Sequence, residues 1–151
     1  MKLYLVRHGD YSTNNVKQQD VLTEKGTKEI EQMVNFLKPL HVHVSHLFHS
    51  GKWRAQQTAE ILAQGLICKQ PIEAQKGLDP NDEVTGFENE LQGDDDICLV
   101  GHLPFMSRLV SYLITGNENK EIVFFHTGTI VCLARDERTR WLIQWMWSPI
   151  D

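Results

Sequence analysis

One pattern is written twice in this chain and limits what it can fold into. A short, continuously apolar run, Leu3-Tyr4-Leu5-Val6, ends abruptly at Arg7-His8-Gly9. Much later, Ile97-Cys98-Leu99-Val100 ends just as abruptly at Gly101-His102. Apolar runs of this length read as strands buried on both faces, the kind found in parallel sheets covered by helices. In open α/β sheets, ligands sit beyond the carboxyl ends of the strands. Each run therefore delivers a histidine to a binding position, beside a glycine that lets backbone approach a ligand closely. A single histidine after a single strand is most often a hydrogen-bonded structural residue. Two such copies favour a shared site.

The intervening sequence fits that frame. Residues 9–21 are polar and read as a loop. Ile30, Met33, Val34 and Leu37 follow helical spacing, with Thr23 as N-cap, Glu24 in the first turn and Pro39 as the stop. Val42, Val44, Leu47 and Phe48 suggest a second strand. Lys52 to Leu66 reads as a helix with Ala55, Thr58, Ala59 and Leu62 inside. Ile72 marks a short strand, and residues 76–96 form an acidic loop with a helical turn around Val84, Phe87 and Leu91. Pro104 suits the first position of a further helix, whose stripe is Phe105, Met106, Leu109, Val110 and Leu113. Residues 121–125, 129–134 and 141–147 read as strands. Strands and helices alternate through the first two thirds, so the expected fold is α/β, with a central, mostly parallel sheet flanked by helices. At 151 residues the chain is expected to form one domain, 1–151.

Charge and composition exclude several classes of function. The formal net charge is −5, whereas a nucleic-acid partner usually selects a basic face. No apolar stretch approaches the ~18 residues of a membrane helix, and the N-terminal run is too short for a signal-peptide core. The three cysteines, Cys68, Cys98 and Cys132, are widely spaced and form no CxxC pair. A reducing cytoplasm is therefore expected. The chain is further expected to be a monomer with no nucleic-acid or membrane partner. No metal or cofactor is expected. His41, His43, His46 and His49 form a dense run, but their spacing matches no zinc pattern. They read as surface or edge-strand residues, with His41 and His43 on one face of a strand. Trp141, Trp145 and Trp147 would share one face of the last strand.

Any anion site must be built from a few local residues. His49-Ser50-Gly51-Lys52-Trp53-Arg54 leads into the second helix, placing Arg54 in its first turn. A helix N-terminus favours anions, and an arginine fork can bind a phosphate in bidentate fashion. Arg7, His8, Arg54 and His102 together suit a dianionic phosphoryl group: two arginines to hold it, one histidine to attack phosphorus, another to contact its oxygens. His49, Ser50 and His126 are candidates for the rim.

At this point the chain resembles a known family, the histidine phosphatase superfamily, whose fold is called phosphoglycerate mutase-like. The matching text is VRHGD at 6–10, LTEKG at 22–26, RAQQTAEIL at 54–62 and VGHLP at 100–104. The likeness runs over nearly the whole length. It is strongest at the Arg-His-Gly and Gly-His motifs and faintest in residues 64–96. Within the superfamily the chain is most similar to the small bacterial phosphohistidine phosphatases of the SixA type, which also end on a Trp-rich strand. The resemblance implies a minimal version of the fold without a helical cap. It implies that His8 is the nucleophile and becomes phosphorylated, that Arg7 and Arg54 bind phosphoryl oxygens, and that His102 completes the pocket. Asn14 stands where some relatives place an asparagine that touches phosphate.

An acid to protonate the leaving group is the open question. In one branch of the superfamily it directly follows the second histidine, and here that residue is Leu103. In the other it lies between the two halves of the site, where Asp79, Asp82 and Glu83 are the local candidates. An alkyl phosphate needs such an acid, whereas the imidazole of phosphohistidine can already carry a proton on its second nitrogen. Leu103 and the short connections thus point to hydrolysis of phosphohistidine on a histidine-phosphotransfer domain or a phosphocarrier protein. The rival readings are a small-molecule phosphomonoesterase of the same superfamily and a catalytically silent phosphate-binding or scaffold protein.

Overall fold

A computed structural model describes residues 1–14 and 19–150. In chain order its strands are β1 (Lys2–Arg7), β2 (Tyr11–Asn14), β3 (Gln19–Leu22), β4 (His43–Val44), β5 (His46–His49), β6 (Ile67–Cys68), β7 (Glu73–Ala74), β8 (Ile97–Gly101), β9 (Ile130–Arg135) and β10 (Trp141–Trp147). The α-helices are α1 (Glu24–Leu37), α2 (Trp53–Leu62) and α3 (Phe105–Thr115). The main sheet runs β10-β9-β1-β8-β5-β7. Its β1, β8, β5 and β7 are mutually parallel, while β9 and β10 add an antiparallel edge. The fold is thus α/β with a central, mostly parallel sheet.

Alternation along β1 builds a core on each side of the sheet. Leu3 and Leu5 face one cluster with Leu99, Leu133 and the α3 residues Phe105, Met106 and Leu109. Tyr4 and Val6 face the other, with Ile30 and Met33 of α1 and Ala55 and Ala59 of α2. A strand buried on both faces has no polar side to spare, which is why its sequence is a continuous apolar run. The two runs pair directly: Leu3 lies opposite Ile97 and Arg7 opposite Gly101. Their following histidines therefore emerge side by side.

Helix α1 starts as its sequence predicts, with the Thr23 hydroxyl accepting from the Gly26 N–H at 3.0 Å. Other expectations are corrected. Residues 9–21 hold a β2–β3 hairpin rather than a plain loop. The strand expected over 42–48 is broken at Ser45, because β4 pairs with β6 while β5 joins the main sheet. Helix α2 ends at Leu62 in a 3₁₀ turn over Ala63–Gly65. Pro104 caps α3 instead of opening it. Residues 121–125 form no strand. Val123 and Phe125 are buried in the cluster that holds the α3 side chains, so the alternation reflects packing against α3 rather than a ladder. His41 ends a 3₁₀ turn in the left-handed region, φ 49°, and lies outside the strand of His43. A bulge between Ile143 and Trp145 separates the tryptophans. Trp141 joins the α3-side core, while Trp145 and Trp147 pack near Phe36 on the opposite side.

Candidate active site

His8 follows β1 and His102 follows β8, at the carboxyl ends of adjacent parallel strands. Their rings lie 4.9 Å apart between centroids, and both are buried, with 3% and 1% of their surface exposed. The His8 Nδ1 is 2.8 Å from the Gly9 carbonyl. A carbonyl can only accept, so Nδ1 carries the proton and Nε2 keeps its lone pair. Burial pushes the His8 pKa down to about 4 despite that carbonyl, and the Arg54 and Arg7 charges add to the effect. The imidazole is thus neutral at pH 7, with one nitrogen free to act as a nucleophile.

His102 is held by the opposite nitrogen. Its Nε2 lies 2.6 Å from Ser50 Oγ, which itself accepts from the Lys52 N–H at 3.3 Å. With the Ser50 hydroxyl donating to Nε2, the ring proton lies on Nδ1. That Nδ1 is buried and has no protein partner. Burial takes the His102 pKa down to about 3, with His8, Arg54, Lys52 and Arg7 contributing in that order.

Each arginine is anchored at one end. Arg7 Nη1 donates to the Phe125 carbonyl at 2.8 Å. Arg54 Nη1 donates to Asp20 Oδ2 at 3.1 Å. In both, Nε is buried without a protein partner. An anchored Nη1 fixes the plane of the guanidinium, so its other edge is presented as a ready fork. A buried N–H without a partner costs about 1–3 kcal/mol. An oxyanion beside His8 is the group whose chemistry satisfies the two Nε–H groups and the His102 Nδ1–H together.

The Arg7-His8-Gly9 turn is fastened from several elements. Gly128 N donates to the carbonyls of both Arg7 and His8, and His8 N donates to Gly101 O. Thr58 of α2 accepts from the Gly9 N–H at 3.1 Å and donates to the Arg54 carbonyl at 2.8 Å, tying the turn to the helix that carries Arg54. Glu29 of α1, 7% exposed, accepts from the Asp10 N–H at 2.8 Å and from the Thr127 hydroxyl at 2.9 Å. Helix α1 can approach this closely only at a glycine. A Cβ on Gly26 would sit 2.0 Å from the Asp10 carbonyl oxygen. Burial also pulls the Arg7 pKa down from its ordinary value, opposed by Tyr11, Glu29 and Asp10.

A family model for the histidine phosphatase superfamily, branch 1, matches residues 3–84. The chain belongs to that superfamily. As a histidine phosphatase it is 28% identical over 157 residues to the phosphohistidine phosphatase SixA of Escherichia coli strain K12, an alignment covering 100% of this chain and 96% of that protein. A solved structure of the protein histidine phosphatase SixA complexed with tungstate superposes with a TM-score of 0.86 at 27% identity, covering 99% of this chain and 97% of the other. The alpha-ribazole phosphatase of Shigella flexneri shares the fold, with a TM-score of 0.74 at 16% identity and 95% of each chain covered.

The other residues singled out in the sequence are placed as follows. Arg7, His8, Arg54 and His102 come together. Ser50 contacts His102 directly, whereas His49 is buried with its Nδ1 accepting from the Gly51 N–H. His126 is exposed and packs against Phe124. Asp79 and Asp82 line a cavity shared with Ser50, and the Asp82 carboxylate accepts from the Asp79 N–H at 2.8 Å. Glu83 is exposed. Asn14 belongs to β2 by its backbone, and its side chain lies outside the described residues. Among the described residues no group of three or more His, Cys, Asp or Glu is placed to hold a metal ion. No described helix is long and apolar enough to cross a membrane.

Sequence reasoning missed Glu29, Asp20 and Tyr11. Glu29 left a trace: it sits on the buried stripe of α1, next to Ile30 and one turn before Met33, where a charge is out of place unless something fixed it there. Asp20 and Tyr11 left none, because their role depends on a hairpin that the polar sequence of residues 9–21 concealed.

Proposed function

We propose that this protein is a phosphatase acting on phosphohistidine carried by another protein, a histidine-phosphotransfer domain or a small phosphocarrier, through a phosphohistidine intermediate on His8. The observation that carries the reading is the tautomer of His8. Its Nδ1 is committed to the Gly9 carbonyl and its Nε2 is open, amid three buried nitrogens without protein partners, the Nε atoms of Arg7 and Arg54 and Nδ1 of His102.

In the first step the Nε2 lone pair attacks phosphorus. The bond from phosphorus to the substrate imidazole breaks, and that imidazole leaves neutral because its other nitrogen already holds a proton. The forks of Arg7 and Arg54 and the His102 Nδ1–H carry the charge spread over the equatorial oxygens. In the second step water attacks the phosphorylated His8. Its oxygen bonds to phosphorus, the bond to Nε2 breaks, and the water proton is released as inorganic phosphate departs.

Two features support a phosphohistidine substrate over an alkyl ester. Leu103 stands in the place of one acid. The other acid candidates are an exposed Glu83, an exposed Asp79 and an Asp82 whose carboxylate is engaged by backbone. The likeness to the phosphohistidine phosphatase SixA points the same way.

The test is a paired assay: a phosphohistidine-bearing phosphotransfer domain in one tube, a panel of phosphate monoesters in the other, with His8→Ala as control. Faster turnover of the phosphoprotein, lost in His8→Ala, is the expected result. Efficient turnover of a monoester alone overturns the substrate assignment, and a working His8→Ala enzyme overturns the mechanism.

A further inference from the structure

Tyr11 is 39% exposed, yet its ring touches two residues at the heart of the pocket. It meets the His8 imidazole edge-on, with centroids 5.2 Å apart and planes at 73°. The Arg54 guanidinium carbon lies 4.6 Å from the centre of the same ring. Tyr11 therefore lies against the nucleophile and one arginine.

That position fixes what the ring can meet. A phosphoryl group under attack must lie within bonding reach of His8 Nε2 and hydrogen-bonding reach of Arg54. Tyr11 contacts both, so it flanks that group. Its remaining surface is open to solvent. The pocket behind it is polar and shaped for oxygens. Tyr11 presents a large flat ring in contact with both His8 and Arg54.

We propose that Tyr11 is a specificity-determining residue that selects a flat, ring-shaped leaving group, imidazole foremost, by packing against it. The proposal rests on the phosphohistidine reading of the site and adds the residue that would recognise the ring. It also separates two jobs of Tyr11. Supporting Arg54 affects every substrate equally, whereas packing against the leaving group affects only substrates that have a ring.

The experiment compares ringed with ringless substrates, and the difference in leaving-group basicity within a pair cancels when the ratio of a variant is set against that of the wild type. Phosphoimidazole and phosphoramidate form a P–N pair, and phenyl phosphate and ethyl phosphate form a P–O pair. Within each pair the ratio of kcat/KM for the ringed over the ringless compound is measured on one sample, so the folded fraction cancels. Tyr11→Ala is expected to lower that ratio by about threefold to tenfold, the range of an aromatic pair. Tyr11→Phe, which keeps the ring, is expected to hold the wild-type ratio. An unchanged ratio in Tyr11→Ala, however much its overall rate falls, overturns the proposal and leaves Tyr11 as packing for Arg54. Tyr11→Leu is read identically should the alanine variant fail to accumulate. A wild-type enzyme that favours the P–O pair overturns the phosphohistidine reading, and the Tyr11 proposal is then judged on the esters.

Discussion

The burial of His8 and His102 couples reactivity to stability, and acidification should reveal it. An unfolded histidine takes up a proton near pH ~6.5. In the fold, burial holds His8 at about 4 and His102 at about 3. Between those limits the unfolded chain binds protons that the native state refuses, so stability falls as pH falls. It is full above about 6.5 and stops falling on this account once the native groups also protonate near pH 4 and below. From pH 7 to pH 5 an unfolded histidine with an ordinary pKa gains roughly 2 kcal/mol of proton binding, and a native group with a pKa near 4 gains almost none. The wild type should therefore lose about 2 kcal/mol for each of His8 and His102 over that interval. His8→Gln removes one of the two, so its loss should be smaller by about 2 kcal/mol. Urea unfolding at pH 7, 6 and 5, followed by the fluorescence of the four tryptophans, measures both curves. Parallel curves for wild type and His8→Gln would refute the reasoning, because they would mean that His8 titrates normally in the fold. The imidazole NMR signal of His8 gives a direct check, with an expected midpoint near 4 rather than ~6.5.

Three further outcomes follow from the same geometry. Arg54→Ala should weaken tungstate or phosphate binding by about tenfold to a hundredfold, the range of a charge-assisted hydrogen bond, measured by calorimetry; an unchanged affinity would remove Arg54 from the pocket. Ser50→Ala should lower kcat by about tenfold with little change in unfolding midpoint, and the nitrogen shifts of His102 should show mixed tautomers in place of one. Gly26→Ala should cost about 3 kcal/mol or more, because its Cβ would meet the Asp10 carbonyl at 2.0 Å, and a denaturation midpoint close to wild type would show that α1 can back away from the turn.

What the sequence made legible divides along a physical line. The Arg-His-Gly and Gly-His endings could be read because a strand buried on both faces must be continuously apolar, so its end is sharp and its next residue conspicuous. The pairing of Leu3 with Ile97 then brought the two histidines together. Helix α1 could be read from its cap and its stripe. The stretch 121–125 misled because alternation marks burial on one side, and α3 can provide that burial without a neighbouring strand. The tryptophan trio misled because a bulge inserts one residue and turns the following side chains to the other face. The hairpin of β2 and β3 escaped notice because it is short and polar, held by its own ladder and by Arg54 rather than by a core.

The supports of the pocket were the least legible part, and the reason lies in how a small fold makes a reactive site. The four central residues come from three places in the chain, and each is useful only in one orientation. That orientation is set by groups scattered further: a carbonyl at Phe125, a carboxylate at Asp20, a hydroxyl at Ser50, a buried carboxylate at Glu29. None of these belongs to a motif, since a carbonyl needs no particular side chain and a carboxylate or hydroxyl is common on any surface. They converge because β1 and β8 are central, so the loops after β5 and before β9 and the start of α2 crowd the same end of the sheet. Crowding excludes water, and exclusion of water both keeps His8 neutral and strengthens every contact to an incoming oxyanion. The same desolvation leaves Nε of both arginines and Nδ1 of His102 unpartnered. An oxyanion that satisfies those groups binds the native fold and not the unfolded chain, so it should stabilise the whole fold as it binds.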